Sequence, residues 1–425
     1  MVGVGACGVI GRRALLKGVG GAAMLGAGAG LVRAIDQGLV FAGDRPGLAA
    51  WNDWRLERYM GPLALASAGV LAASPHNTQP WRFAVGRLGV DVFEVPERSL
   101  GAMDPFGRER LIGLGGAIHN MALAASRIGR AAAISVLPDA ANPLHMARIE
   151  LGPEGERAPP HPLLGAIGQR HTHRGRWTGE PLPDAVLEQV RTFPLVQALA
   201  IPMFAAGSPR GQAFAALTRD ATAAIVGDAE MSADGHAWFR HSRRDQDARM
   251  DGIGIATAGL APALAFGGAM LPAQSAAESG RFWLAATIDT ALPTASAFGL
   301  ITLADPWDRR GALLAGMAWQ RLHLQATALG LVVQPLNQLP EMIDRERQLG
   351  GTASFARAAD ALLDDPALRP TFAFRIGKAD TAALPSPRRP VSLVIGAPAR
   401  IGYDIDRARA ETLAQDAALA ARPRP

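Results

Sequence analysis

The 425-residue chain has a single cysteine, Cys7, and only two lysines, Lys17 and Lys378. One thiol can form neither an intramolecular disulfide nor a Cys-based zinc site. Arginine therefore carries almost all the positive charge, and it is dispersed among acids to a net of only +5. A nucleic-acid surface concentrates its charge in stripes interleaved with aromatics. No such stripe is present, which argues against a nucleic-acid partner. Charged residues make up 19% against 49% hydrophobic, a balance that excludes a disordered or collagen-like chain and leaves ample material for a core. At roughly 100–200 residues per domain, two or three folding units are expected.

Charge is also missing locally. Gly252 to Ala277 has no charged residue, and its length alone would cross a bilayer. Gly, Ala, Pro262 and Pro272 dominate it, so it reads as a small-residue lid or buried segment. At the N-terminus, Arg12-Arg13 precede a mild apolar run from Gly18 to Val32. That is the layout of a twin-arginine signal over residues 1–34, with export to the periplasm or cell envelope by that machinery as the expectation. Cys7 lies inside it.

Periodicity predicts helix over Pro46–Gly69, extended chain from Trp81 to Val95 around a turn at Gly86–Gly89, and a long apolar helix over Leu111–Gly129. A strand at Ala132–Leu137 and a shorter one at Arg148–Leu151 follow. The Pro- and Gly-rich loop Gly152–Pro162 is the expected boundary between a first half, 46–151, and a second, 163–400. In the second half the expectations are helices at Pro183–Thr192, Gln212–Ile225 and Leu313–Gly330. Its expected strands are Ala198–Ala206, Val332–Val333, Thr371–Ile376 and Val391–Ile395. The tail from Tyr403 reads as polar helix.

The two long helices align at an offset of 201. Gly115, Ala117, Leu123, Ala125 and Gly129 coincide with Gly316, Ala318, Leu324, Ala326 and Gly330. Small residues at matching places predict two helices that pack closely across a pseudo-twofold axis.

The most informative string is Ser74-Pro75-His76-Asn77-Thr78-Gln79-Pro80-Trp81. Two prolines bracket a loop of amide and hydroxyl groups suited to a flat ligand with polar edges. It resembles the Ser-x-x-Asn-x-Gln-Pro-Trp loop of the nitroreductase superfamily, FMN-dependent oxidoreductases in which this loop contacts flavin. Arg170-His171-Thr172-His173-Arg174, with Trp177 beyond, is similar to the family's Arg-x-Ser-x-Arg motif followed by an aromatic. Paired guanidiniums and a hydroxyl suit a phosphate. The His-x-His within it has no third ligand at suitable spacing, so no metal is expected. Pro387-Arg388-Arg389-Pro390 resembles the family's closing basic motif, and Pro335-Leu336-Asn337-Gln338 stands where relatives place the segment against flavin N5.

The resemblance runs from about Leu65 to Val394 and implies an α+β, nitroreductase-like fold, with two repeats in one chain forming a pseudo-dimer of antiparallel-rich sheets and long central helices. The flavin loop matches only in the first half, and the arginines and N5 segment only in the second. That division implies one composite FMN site and a monomer that mimics a dimer, most similar to the Acg-type subgroup. The implied FMN contacts are Ser74, Pro75, His76, Asn77, Gln79, Arg170, Thr172, Arg174, Pro335, Asn337, Gln338, Arg388 and Arg389. The implied activity passes hydride or electrons from NAD(P)H to an electron-poor small molecule such as a nitroaromatic or a quinone. The alternative is a protein that sequesters FMN under a closed lid. Arg240 and Arg244 are candidate cations for the reduced flavin, but both read more readily as surface or salt-bridging residues. No side chain stands out as a general acid; His236, His241 and His323 read as structural or exposed.

Overall fold

The computed structural model describes residues 31–34, 37, 45–153, 158–192 and 199–396. The expected twin-arginine segment, apart from Leu31–Ala34, and the expected helix from Tyr403 lie outside the described residues. So do parts of the 152–162 loop.

The first repeat comprises helices α1 (Ala49–Arg55) and α2 (Pro62–Gly69), strands β1 (Trp81–Gly86) and β2 (Gly89–Glu94), helix α3 (Arg108–Ala125), and strands β3 (Ala132–Val136) and β4 (His145–Leu151). The single helix expected over 46–69 is two. Gly61 adopts φ 56°, a left-handed value that breaks a helix, and Pro62 opens the next one at its first turn, where a missing N–H costs nothing. The sheet runs β1-β2-β4-β3, antiparallel throughout.

The second repeat carries α4 (Asp184–Arg191), β5 (Leu199–Ala200), β6 (Met203–Ala205), α5 (Pro209–Gly227), α6 (Ala229–His236), β7 (Phe239–Arg240), α7 (Arg243–Arg249), β8 (Ile253–Gly254), α8 (Pro262–Met270) and α9 (Ala276–Ala286). It continues with β9 (Ala297–Leu303), α10 (Arg309–Ala328), β10 (Val332–Pro335), α11 (Gln338–Gln348), α12 (Ser354–Asp360), β11 (Arg369–Gly377) and α13 (Val391–Val394). Its main sheet runs β10-β11-β9-β5, with β6 also on β9 and every pairing antiparallel. Both sheets thus place the two strands that follow the long helix in the same order. The fold is α+β with a repeated unit.

The long helices make the repeat exact in its contacts. A Cβ on Gly115 of α3 would sit 2.0 Å from the carbonyl oxygen of Leu313, and one on Gly316 of α10 would sit 2.1 Å from that of Ile112. Ile112 plus 201 is Leu313, and Gly115 plus 201 is Gly316, so residue i touches j while its counterpart touches i's counterpart. That reciprocity is the signature of a twofold interface. Ile112 packs into the second repeat's core, and Leu313 into the first repeat's. The helix ends agree too. Gly129 and Gly330 both adopt φ 71°, and Arg130 N donates to Ala125 O at 3.0 Å as Leu331 N donates to Ala326 O at 2.8 Å. These are left-handed glycine caps that satisfy otherwise orphaned carbonyls. At the centre of the crossing, Gln320 Nε2 donates to Asn120 Oδ1 at 2.9 Å, both buried.

Beyond β11 the chain returns to the first repeat. Trp51 Nε1 donates to Ser386 O at 2.8 Å, and Arg388 N donates to Gly47 O at 2.7 Å. Within 391–395, expected as a strand, residues 391–394 form the short helix α13, which buries Val391 and Val394 on one face. Only Ile395 makes a bridge, parallel to Phe83 of β1. β-branched content suggested extension, but the i, i+3 burial of two valines decides for a helical turn. The charge-free stretch contains α8, nine residues long, and no helix among the described residues is long and apolar enough to cross a membrane.

Candidate functional site

A cavity of about 290 Å³ opens between the repeats. The Ser74–Pro80 loop forms part of its wall. Three residues in that loop, His76, Asn77 and Gln79, hold left-handed φ values of 43°, 58° and 52°. Non-glycine residues adopt such values only where the surroundings over-determine them, and here hydrogen bonds do so. Ser74 Oγ accepts from Gln79 N at 3.0 Å, and Asn77 Nδ2 donates to Gly252 O at 3.1 Å and to Pro387 O at 2.9 Å. Asn77 Oδ1 accepts from Arg388 Nη1 at 2.6 Å. The Asn77 amide is thus used within the protein; it fixes Arg388 in place.

Arg170, Arg174 and Arg388 all face the cavity. Arg170 and Arg388 are 1% and 3% exposed, and none of the three pairs with a carboxylate among the described residues. Arg170 donates through Nη2 to Leu71 O at 3.2 Å, which leaves Nε and Nη1 buried without a partner; Arg388 Nε is likewise unpartnered. Burial, with repulsion from Arg174, holds Arg170 down to about 10. Burial alone does the same to Arg174, and burial plus both other arginines pushes Arg388 well down. Three crowded guanidiniums without a counter-ion are costly to bury. An anion bound among them would relieve that cost. Burial and the neighbouring arginines also depress His76 to about 4 and His171 to about 3, so both rings are neutral at pH 7.

Of the sequence-derived residues, Ser74, Pro75, His76, Asn77, Arg170, Thr172, Arg174, Pro335, Asn337, Gln338 and Arg388 converge on this cavity from both repeats. Gln79 and Arg389 do not line it. They bond each other instead, Arg389 N to Gln79 Oε1 at 2.8 Å and Arg389 Nη2 to Gln79 O at 2.6 Å, with Gln79 Nε2 donating to Met250 O at 2.8 Å. The left-handed turn aims Gln79 at the returning chain and away from the cavity. Trp177 stacks under Arg375 at 3.7 Å and donates to His173 Nδ1 at 2.9 Å, so it packs beside β11. Arg240 is paired with Asp251 at 2.7 Å and, like Arg244, lies outside the wall.

The lid differs from expectation. The charge-free stretch contributes Ile253, Ala258, Gln274 and Ala276 to the wall, while α8 faces outward with Leu264 and Phe266 exposed. The covering surface is α9 beyond it, through Phe282, Trp283 and Ala286. Sequence reasoning also missed two buried wall carboxyls, Glu109 of α3 and Glu341 of α11. Their only signal is apolar neighbours around an acid, which does not reveal that residues 232 positions apart meet.

No family model matches the chain. Among curated proteins it is similar to one from Mycobacterium tuberculosis H37Rv named "Putative NAD(P)H nitroreductase Rv3131", 34% identical over 114 residues, which are 27% of this chain and 33% of that protein. It is also similar to "Putative NAD(P)H nitroreductase acg" of M. tuberculosis, 33% identical over 135 residues, 32% of this chain and 41% of that one. The chain thus spans about a third to two fifths of the length of the curated relatives it matches. Among solved structures, the FMN and NADPH-dependent nitroreductase NfnB from Sphigopyxis sp. strain HMH is 19% identical, with 56% of this chain and 99% of that chain covered and a TM-score of 0.36. NfnB from Mycobacterium smegmatis, in complex with NADPH, is 19% identical over 55% of this chain and 96% of that chain, with a TM-score of 0.32. Both curated proteins are named putative NAD(P)H nitroreductases, and the similarity to each is confined to those stretches.

Proposed function

We propose that the chain is an FMN-binding oxidoreductase of nitroreductase type, taking electrons from NAD(P)H and delivering them to an electron-poor small molecule such as a nitroaromatic or quinone. The observation that carries this reading is the set of three arginines that face one cavity with no acid among them, two of which, Arg170 and Arg388, are buried with unpartnered N–H groups. Guanidinium donors aimed into a cavity fit a phosphate monoester, whose oxygens accept charge-assisted bonds about twice as strong as neutral ones. FMN carries one such phosphate. Arg170, Arg174 and Arg388 would hold it, with Thr172 and Ser74 as hydroxyl partners. Pro335, Asn337 and Gln338 would border the ring, where α11 begins and its N-terminal end favours negative charge. Bound there, FMN supplies a two-electron relay between a hydride donor and an acceptor.

The apolar part of the wall, Phe282, Trp283, Trp319 and Phe372, suits aromatic ligands. The same α9 wall favours a second reading, sequestration of FMN without turnover, because it closes over the cavity and would restrict access of nicotinamide and acceptor. Because Arg388, far along the chain, bonds Asn77 of the same chain, we read the functional unit as one chain with one site. Arg12-Arg13 support export of that unit by the twin-arginine route.

The visible spectrum of the purified protein, followed by anaerobic addition of NADH or NADPH, tests the proposal. Yellow protein that bleaches with nicotinamide supports the enzyme. Bound flavin that bleaches with dithionite alone supports sequestration. Protein that neither carries nor binds FMN contradicts both.

A further inference from the structure

Outside the arginine cluster the cavity has a second polar region that the family resemblance does not mention. Glu109 on α3 and Glu341 on α11 are each 4% exposed, and both line the cavity. Their carboxyl groups lie within hydrogen-bonding reach of each other, and Asn337 also bonds Glu109. Two ionised carboxylates held together in a buried setting repel each other strongly, and one proton between them lowers that cost.

The surrounding charges locate that proton. Asp104, Asp344 and Arg108, each 2% exposed or less, complete the cluster around the pair. One guanidinium therefore faces four acids. Asp344 is fully satisfied as an anion, with Oδ2 accepting from Arg108 Nε at 2.8 Å and Oδ1 from Trp307 Nε1 at 2.9 Å. Asp104 accepts backbone N–H groups on both oxygens, from Glu109 and Arg110, each at 3.0 Å. Glu109 Oε1 is 3.6 Å from Arg108 Nη2, too far for a hydrogen bond, and Glu341 Oε2 has no partner. Glu109 Oε1 and Glu341 Oε2 are the carboxyl oxygens of the cluster left without a hydrogen-bond partner, and these two groups can share a proton. Burial is the largest cause pushing both upward; Glu109 is raised to about 7, opposed by Arg108, and Glu341 well above its usual range, with the Glu109 charge adding to burial.

We propose that Glu109 and Glu341 form a proton-sharing carboxyl pair in the cavity wall that donates a proton to the acceptor during its reduction. The proposal rests on the oxidoreductase reading above. A quinone becomes a quinol by gaining two electrons and two protons. Oxidation of NAD(P)H supplies both electrons and one proton as a hydride equivalent. The pair supplies the other: an O–H bond forms on the acceptor oxygen as the O–H bond of the carboxylic acid breaks. The pair is left with both carboxylates ionised, and a proton from solvent restores it. The location fits that role, because Glu109 and Glu341 are the only acids in the wall among the described residues, and a general acid works best with a pKa near the operating pH.

Two measurements test this. The first is an infrared pH titration of the flavin-free full chain. It should show a protonated carboxyl band at pH 7 that weakens as pH rises, and that loses intensity at pH 7 in the Glu109→Gln/Glu341→Gln double variant. A wild-type chain without the band, or a double variant with wild-type intensity, overturns the protonated pair. The second is reoxidation by a quinone of FMN-loaded protein reduced with dithionite, followed across pH. Wild-type rates should fall as pH rises past about 7. Each single variant, after FMN binding is verified, should react on the order of 10²-fold more slowly at pH 7 and lose the pH dependence. Wild-type rate and slope in both single variants overturn donation. Absence of FMN binding would instead contradict the flavin reading, while the infrared titration still decides the pair.

Discussion

In the first repeat, β3 and β4 are joined by the eight residues 137–144; in the second, the equivalent connection from β10 to β11 carries α11 and α12. The hairpin between β1 and β2 turns within two residues, whereas the chain between β6 and β9 contains five helices, α5 to α9. Yet the sheets keep one strand order, and the long helices touch through matched glycines. The repeats share what is needed to fold against each other and differ in what is hung on that frame. Almost all the covering wall of the cavity, α9 and the start of α11, comes from the second repeat's additions. The first repeat supplies the strained loop and the α3 face. Symmetry in the crossing coexists with a site on one side only.

The largest expected effect tests the symmetric part. A Cβ at Gly115 or Gly316 meets a backbone oxygen near 2 Å, and backbone cannot step aside as a flexible side chain can. Gly115→Ala and Gly316→Ala should each destabilise the chain by about 3 kcal/mol, at the upper end for overpacking. Chemical denaturation should find the two losses equal within about 0.5 kcal/mol. A variant that costs much less than its counterpart would break the twofold description of the crossing.

Next comes the site. Arg170→Met removes a guanidinium with two unpartnered N–H groups while keeping the apolar stem. Loss of charged hydrogen bonds worth about 1.5–3 kcal/mol should weaken FMN binding roughly 10- to 100-fold by fluorescence titration. The flavin-free variant should unfold no earlier than wild type, because mutual repulsion among the arginines is relieved. Unchanged affinity would refute the phosphate assignment.

The smallest effect concerns pH. Glu109 and Glu341 have folded pKa values raised above the unfolded value, so their contribution to stability is complete below about 4.5 and is lost as pH rises, past about 7 for Glu109. Glu341→Gln should therefore match or exceed wild-type stability at pH 8 and gain nothing at pH 5. His76 and His171 act in the opposite sense. Their folded values are depressed, so stability is complete above about 6.5 and declines as pH falls toward about 4. Thermal melts at pH 5, 7 and 8 should show a wild-type maximum between these limits. A Glu341→Gln curve parallel to wild type at all three would remove the carboxyl pair from this account.

What was legible in the sequence follows the same division. Gly115 and Gly316, and the caps at Gly129 and Gly330, were readable because helix contacts leave small residues at a fixed offset. Arg170, Arg174, Arg388 and the Asn77 loop were readable because several unusual residues crowd into short strings. Gln79 and Arg389 belonged to those strings but serve the loop's own geometry, which spacing cannot distinguish from ligand contact. β9 has no alternation to announce it, since Ala297 to Leu303 is buried on both faces. Glu109 and Glu341 meet only through the packing of α3 against an inserted helix. No local pattern records an encounter of that kind.

The most direct test of one composite site is the stoichiometry of FMN per chain, measured by calorimetric titration of the flavin-free protein. One FMN per chain is predicted, with binding weakened by Arg170→Met and by Arg388→Met alike, because the proposed site sets both arginines on the same phosphate. Two equivalent FMN per chain, or none, would contradict it.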